Sequence, residues 1–129
     1  VRLWLLMPKE RRLTKGKDFA ATRLEGWARS DMYLVLVARP NSLEFTRVGY
    51  SVGRRIGNAV VRNKTKRRLR EAVRHTPIQE GWDLVLIARQ DASSADYHRL
   101  SRSVRSLIRR AGILATAPQH ASFSSKAEQ

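Results

Sequence analysis

Gly53–Arg74 reads GRRIGNAVVRNKTKRRLREAVR. Nine of these residues are Arg or Lys, and one, Glu71, is acidic. Asn58 suits a helix N-cap, and Gly57 before it permits a tight turn. On a wheel of about 100° per residue, Val61, Thr65, Leu69, Ala72 and Val73 fall on one arc. Asn63, Lys64, Lys66, Arg67, Arg70 and Arg74 cover the opposite side. The segment therefore predicts an amphipathic helix that docks one face on a sheet and projects charge from the other. Arg62 and Arg68 flank the apolar arc, where their stems can lie along it and their heads reach out. Glu71 is placed to pair with Arg67 or Arg74.

Working outward, RVGYSV just before this helix alternates Val48, Tyr50 and Val52, the pattern of a half-exposed strand. Upstream, Met32–Ala38 (MYLVLVA) is a continuous apolar run closed by a turn, a buried strand. The short link between the two predicts an antiparallel hairpin. Downstream, Trp82–Ala88 follows a Glu-Gly turn and reads as another buried strand. Leu100, Val104, Leu107, Ile108 and Ala111 recur at helical spacing, with Ser93-Ser94 as N-cap and Gly112 as stop. Arg99, Arg102, Arg105, Arg109 and Arg110 occupy the other face of that helix. Near the N-terminus, Lys15–Leu24 predicts a short helix that carries Phe19 and ends at Gly26. The fold class is α+β, a compact two-layer sandwich of helices on a sheet.

The chain has 129 residues and reads as one domain, residues 11–114. Residues 1–10 read as a flexible basic arm, and 115–129, small and polar without periodicity, as a disordered tail. Leu3–Met7 is too short to span a membrane. Met7 opens a sensible basic segment, so Val1–Leu6 reads as an extension. There is no cysteine, which removes disulfides and thiolate metal sites and fits a cytoplasmic location. The formal charge is +15, which points to a polyanionic partner, nucleic acid before membrane.

The basic helix sharpens that inference. Solvated helix faces normally mix signs, because like charges one turn apart destabilise a helix. This face does not mix them. Phosphates meet the need: arginine grips their oxygens bidentately, and each neutralised phosphate releases counterions. Arg54 and Arg55, just upstream, sit where N–H groups at a helix start help to hold an anion. Asn63 can read a base edge or a 2′-hydroxyl, or bond a neighbour. A merely solvated charged face is the alternative.

Arg47–Glu71, RVGYSVGRRIGNAVVRNKTKRRLRE, resembles the bacterial ribonuclease P protein family: a strand, then a helix with an Arg-Asn-Arg signature. RLTKGKDF (Arg12–Phe19) and GWDLVLIAR (Gly81–Arg89) support the match. The resemblance implies the order α-β-β-β-α-β-α, with an extra short strand near Trp27–Arg29 and a left-handed β-α-β crossover, against the general right-handed rule. It implies removal of the 5′ leader from precursor tRNA by an enzyme whose catalytic subunit is an RNA that holds the Mg²⁺ ions. The protein then binds no cofactor of its own. Its partners are the catalytic RNA and precursor tRNA, with no membrane and no evident protein partner.

By the same resemblance, Arg54, Arg55, Asn58, Arg62, Asn63, Lys64, Lys66, Arg67, Arg68 and Arg70 contact the catalytic RNA. Phe19, Arg23, Tyr33 and Arg89 line a cleft for the single-stranded leader, where stacking and cationic contacts tolerate any sequence. Core packing is the other role open to Phe19 and Tyr33. Two positions depart from the family pattern. Lys64 stands at the third signature position, where arginine's planar fork is lost. Arg23 stands where a second cleft aromatic is common.

The chain shows no cleavage machinery of its own. His75, His98 and His120 are scattered, and Asp91 and Asp96 suit capping. No catalytic or metal residues are assigned. A structural RNA-binding protein, such as a ribosomal protein, would share the size and charge but needs no groove for a single strand. A DNA-binding protein is a third possibility, but no helix-turn-helix partner precedes the basic helix.

Overall fold

A computed structural model describes residues 11–14 and 16–115. The arm at 1–10 and the tail from 116 lie outside the described residues. Seven elements follow in order: α1 (Lys17–Glu25), β1 (Trp27–Ser30), β2 (Leu34–Pro40), β3 (Arg47–Ser51), α2 (Ala59–Arg74), β4 (Trp82–Ala88) and α3 (Tyr97–Arg110). Short 3-10 turns at Arg54–Ile56 and Gln90–Ser94 lead into α2 and α3.

The sheet order is β1-β2-β4-β3. β4 runs antiparallel to β2 and parallel to β3, with Val48 opposite Leu84 and Leu36 opposite Leu86. The expected hairpin between the second and third strands therefore does not form, because β4 lies between them. β4 is buried along most of its length and takes the centre, where both edges are paired. The link at 41–46 steps across the end of β4 instead of turning back on β2. Two strand spacings amount to about 10 Å, well within the reach of six residues. The link is tied to the approach to β4: the Asn41 N–H donates to the Gly81 carbonyl at 2.9 Å, and Thr46 Oγ1 donates to the Gln79 carbonyl. β3 and β4 become parallel neighbours joined through α2, the β-α-β unit that the resemblance implied.

One face of the sheet carries the main core. Leu34, Leu36, Val48, Leu84 and Leu86 meet Leu69, Ala72 and Val73 of α2 and Leu100, Val104, Leu107 and Ile108 of α3. On the opposite face α1 covers only part of the sheet, through Phe19 packed with Leu13 and Val85. α2 and α3 pack side by side and α1 lies alone. That unequal coverage leaves room for a groove.

A buried ion pair fixes the start of β3. Arg47 Nη2 lies 2.6 Å from Asp83 Oδ2 and Nε donates to Asp83 Oδ1, which Asn41 Nδ2 also reaches at 2.9 Å. The bond to Asp83 is the main cause that raises the Arg47 pKa. Outside β3, Arg12 bridges Val48, and the Leu13 N–H donates to the Val48 carbonyl, so these two residues cover part of that edge.

Two boundaries differ from the expected ones. α3 is capped by Asp96, which accepts from the Arg99 N–H, while Ser93 and Ser94 sit in the preceding 3-10 turn and bond back to Gln90 and Asp91. Ala115 still belongs to the fold: its N–H donates to the Pro77 carbonyl, one residue beyond the expected end of the domain.

Candidate nucleic-acid interface

α2 builds its outward face from the turn that precedes it. Gly57 has φ +149°, a conformation costly for other residues, and a Cβ there would come within 3.0 Å of Val61. Asn58 then caps the helix, its Oδ1 accepting from the Val61 N–H at 3.0 Å. Thr65, Leu69, Ala72 and Val73 are buried, as the wheel predicted. Asn58, Asn63, Lys64, Arg67 and Arg70 are exposed, with Arg54 and Arg55 in the turn just before.

Charge balance on this face is one-sided. Among the described residues none of Arg54, Arg55, Arg62, Lys64, Lys66, Arg67, Arg68 and Arg70 forms an ion pair. Glu71 pairs with Arg74 and His75 at the end of the helix and leaves Arg67 alone. Arg68 departs from expectation: its Nη1 donates to the Ala95 carbonyl at 2.9 Å, so part of its head braces α2 against the approach to α3. Arg62 lies half-buried along the helix flank, its Nε without a partner. Arg70 lies 5.9 Å above the Tyr50 ring. Burial pushes the Tyr50 hydroxyl pKa up, and Arg70 partly opposes that shift.

The uncovered part of the opposite sheet face forms a groove of about 750 Å³. Arg23 of α1 stands on one wall, Arg54 and Arg55 on another, and Arg89 continues β4. Ser51, Ile87 and the exposed Met32 supply less charged lining. Four guanidinium groups around a partly apolar trough suit a flexible anionic strand better than a rigid duplex. Among the described residues, no group of three or more His, Cys, Asp or Glu is placed to hold a metal ion.

Of the four residues assigned to the cleft, the structure brings only Arg23 and Arg89 together in this groove. Phe19 is buried under α1. Its visible edge lines a separate pocket of about 260 Å³, rimmed by Arg12, Lys66 and Arg70. Gly49 makes this packing possible: a Cβ there would lie 2.5 Å from the Leu13 carbonyl and 2.8 Å from the Phe19 ring. Tyr33 turns away from the groove. Its carbonyl accepts from the Arg89 N–H, but its ring packs with the α2/α3 layer and lines a recess with Arg99 and Arg102. The cause is the turn before β2. Asp31 accepts from the Tyr33 and Leu34 N–H groups and from the Ser103 hydroxyl of α3, which draws the turn to that side. Sequence reasoning missed Met32, Ser51 and Ile87. Period-two alternation in β4 places Ile87 on the same face as Arg89, and that was the available signal.

The family model for ribonuclease P matches residues 7–112. The chain belongs to the ribonuclease P protein family. A ribonuclease P protein component from Dehalococcoides mccartyi (strain 195) is 38% identical over 122 residues, which cover 95% of this chain and all of that one. A solved mutant RNase P protein from Staphylococcus aureus superposes with a TM-score of 0.76 at 31% identity, covering 84% of this chain and 94% of that one. The RNase P protein from Thermotoga maritima gives 0.71 at 32% identity, with coverages of 77% and 96%. The ribonuclease P protein is the auxiliary subunit of an endoribonuclease in which RNA does the catalysis, and the chain has an RNA partner in that assembly. These matches favour this over the ribosomal-type alternative.

Proposed function

We propose that α2 docks the catalytic RNA of ribonuclease P while the groove on the other sheet face receives the 5′ leader of precursor tRNA. The observation that carries this is a pair of basic surfaces whose arginines, Arg74 apart, form no ion pair among the described residues. One lies on the helix α2 and one is concave, with Arg54 and Arg55 at their junction and Asp91 the one acidic residue of the concave lining. The row on α2 neutralises backbone phosphates, and Asn63 adds a donor and an acceptor among the cations. The concave surface, with Arg23, Arg54, Arg55 and Arg89, holds an unpaired strand through its phosphates, while Met32 and Ile87 offer apolar contact to bases. Phe19 supports this groove chiefly by holding α1 on the sheet. The protein adds cationic charge where two RNAs converge, and the cleavage chemistry stays with the RNA. The cytoplasm is the compartment this role requires.

The test mixes the protein with ribonuclease P RNA and precursor tRNA at low Mg²⁺. Cleavage should rise above that of the RNA alone, and the Arg23→Ala/Arg89→Ala variant should lose part of the gain for precursors with a leader. A cleavage rate equal to that of RNA alone rejects the proposal.

A further inference from the structure

α3 carries a third basic surface, apart from the leader groove and the α2 row. Arg99, Arg102, Arg105, Arg109 and Arg110 are all exposed. At about 100° per residue they fall within an arc of about 140°, and from Arg99 to Arg110 the row is about 16 Å long. Tyr97–Arg110 contains no acidic residue. Its cap Asp96 lies within Coulomb range of Arg99 and Arg102, but among the described residues none of the five arginines forms an ion pair. Arg99–Arg102, Arg102–Arg105 and Arg105–Arg109 are like-charge neighbours one helical turn apart, an arrangement that disfavours the helix unless an anion covers it.

The row is turned away from α2. Arg99 and Arg102 border a recess of about 280 Å³ with Asp31, Tyr33, Ser103 and Ser106, and Arg110 Nη1 reaches the Ser30 carbonyl of β1. Arg29 extends the patch: it is exposed and opposite Leu36, on the sheet face that carries α2 and α3. One basic surface thus rides over the β3 side of the sheet and the other over the β1 side, in the same helical layer. We infer that the α3 face docks a second segment of the catalytic RNA by its phosphate backbone, so that the protein clamps two RNA segments across its helical layer. The catalytic RNA is the favoured occupant because the leader groove lies on the opposite face of the sheet. This inference rests on the assignment of α2 to the catalytic RNA.

The test compares native protein, Arg67→Ala/Arg70→Ala, and Arg102→Ala/Arg105→Ala/Arg109→Ala. Binding to ribonuclease P RNA is measured across a salt series, with hydroxyl-radical footprinting of each complex. The triple variant should bind with a log–log salt slope shallower by about 2, since each phosphate left without its arginine removes about 0.7–0.9. Its footprint should open at nucleotides distinct from those that the α2 variant exposes, and Lys at the three positions should restore the slope. An unchanged slope and footprint for the triple variant, with the α2 variant altered, overturns the inference alone and leaves a solvated face. If both variants are silent, the assignment of α2 falls as well. A change seen only when precursor tRNA is added assigns the face to substrate and also overturns the inference.

Discussion

Phe19→Ala separates packing from stacking. Phe19 and Thr22 are the buried residues of α1, and Phe19 is 6% exposed against Leu13, Val85 and the bare backbone of Gly49. Truncating a buried Phe costs about 3–5 kcal/mol. The pocket beside the ring allows partial collapse, which places the cost near the lower end, about 3 kcal/mol. For a domain of this size each kcal/mol lowers Tm by roughly 4–8 °C, so the fall should exceed about 12 °C. Thermal unfolding followed by far-UV circular dichroism measures it. A fall of less than about 5 °C refutes the claim that Phe19 anchors α1. Phe19→Leu keeps most of the apolar volume and should cost less than about 1.5 kcal/mol. If Phe19 is chiefly core, this variant keeps α1 seated and leaves binding of precursor and mature tRNA near native. A selective loss for precursor would restore the stacking role.

Other perturbations address other parts of the molecule. Asp83→Ala removes the nearer partner of the half-buried Arg47 and leaves Asp18 at 3.2 Å, so it should destabilise by about 1–3 kcal/mol in denaturant titration, with Arg47→Met/Asp83→Leu recovering much of the loss. Gly49→Ala drives a Cβ against the Leu13 carbonyl and should cost about 1–3 kcal/mol by the same titration. Asn58→Ala removes the α2 cap and should cost about 1 kcal/mol, read as a lower Tm. The Asp96 carboxyl pKa is held below its usual value, first by the Arg99 N–H bond and then by nearby positive charge. Its capping contribution is therefore present above the ordinary Asp pKa of about 3.9 and is lost as pH falls through the lower folded value. Asp96→Asn should flatten the part of the acid-unfolding curve below about pH 4.

The most legible element was α2, because an apolar arc and a charged arc on one helix leave little choice of orientation. β4 was equally clear, since a seven-residue apolar run between turn signals has few other homes. The pairing of β2 with β3 was misread because a short link usually means a hairpin, and nothing local announces that a later strand will insert. β1 carries no pattern: Trp27–Ser30 is exposed throughout and exists by pairing with β2, so only the family resemblance pointed to it. The Ser93-Ser94 cap failed because a 3-10 turn took those residues and left Asp96 at the true start. In the groove, Arg23 and Arg89 were legible as charge, but their company was not. Which face Tyr33 joins depends on the Asp31–Ser103 contact, a bond between residues 72 apart in sequence.

The central claim is that the outward side of α2 is uncovered in the free protein and covered by RNA in the complex. Arginine modification with phenylglyoxal, read by peptide mass spectrometry, measures this directly. Arg67 and Arg70 should react quickly in free protein and slowly once ribonuclease P RNA is bound, while Arg47, held by Asp83, stays slow in both. Equal reaction of Arg67 and Arg70 with and without the RNA would contradict the account.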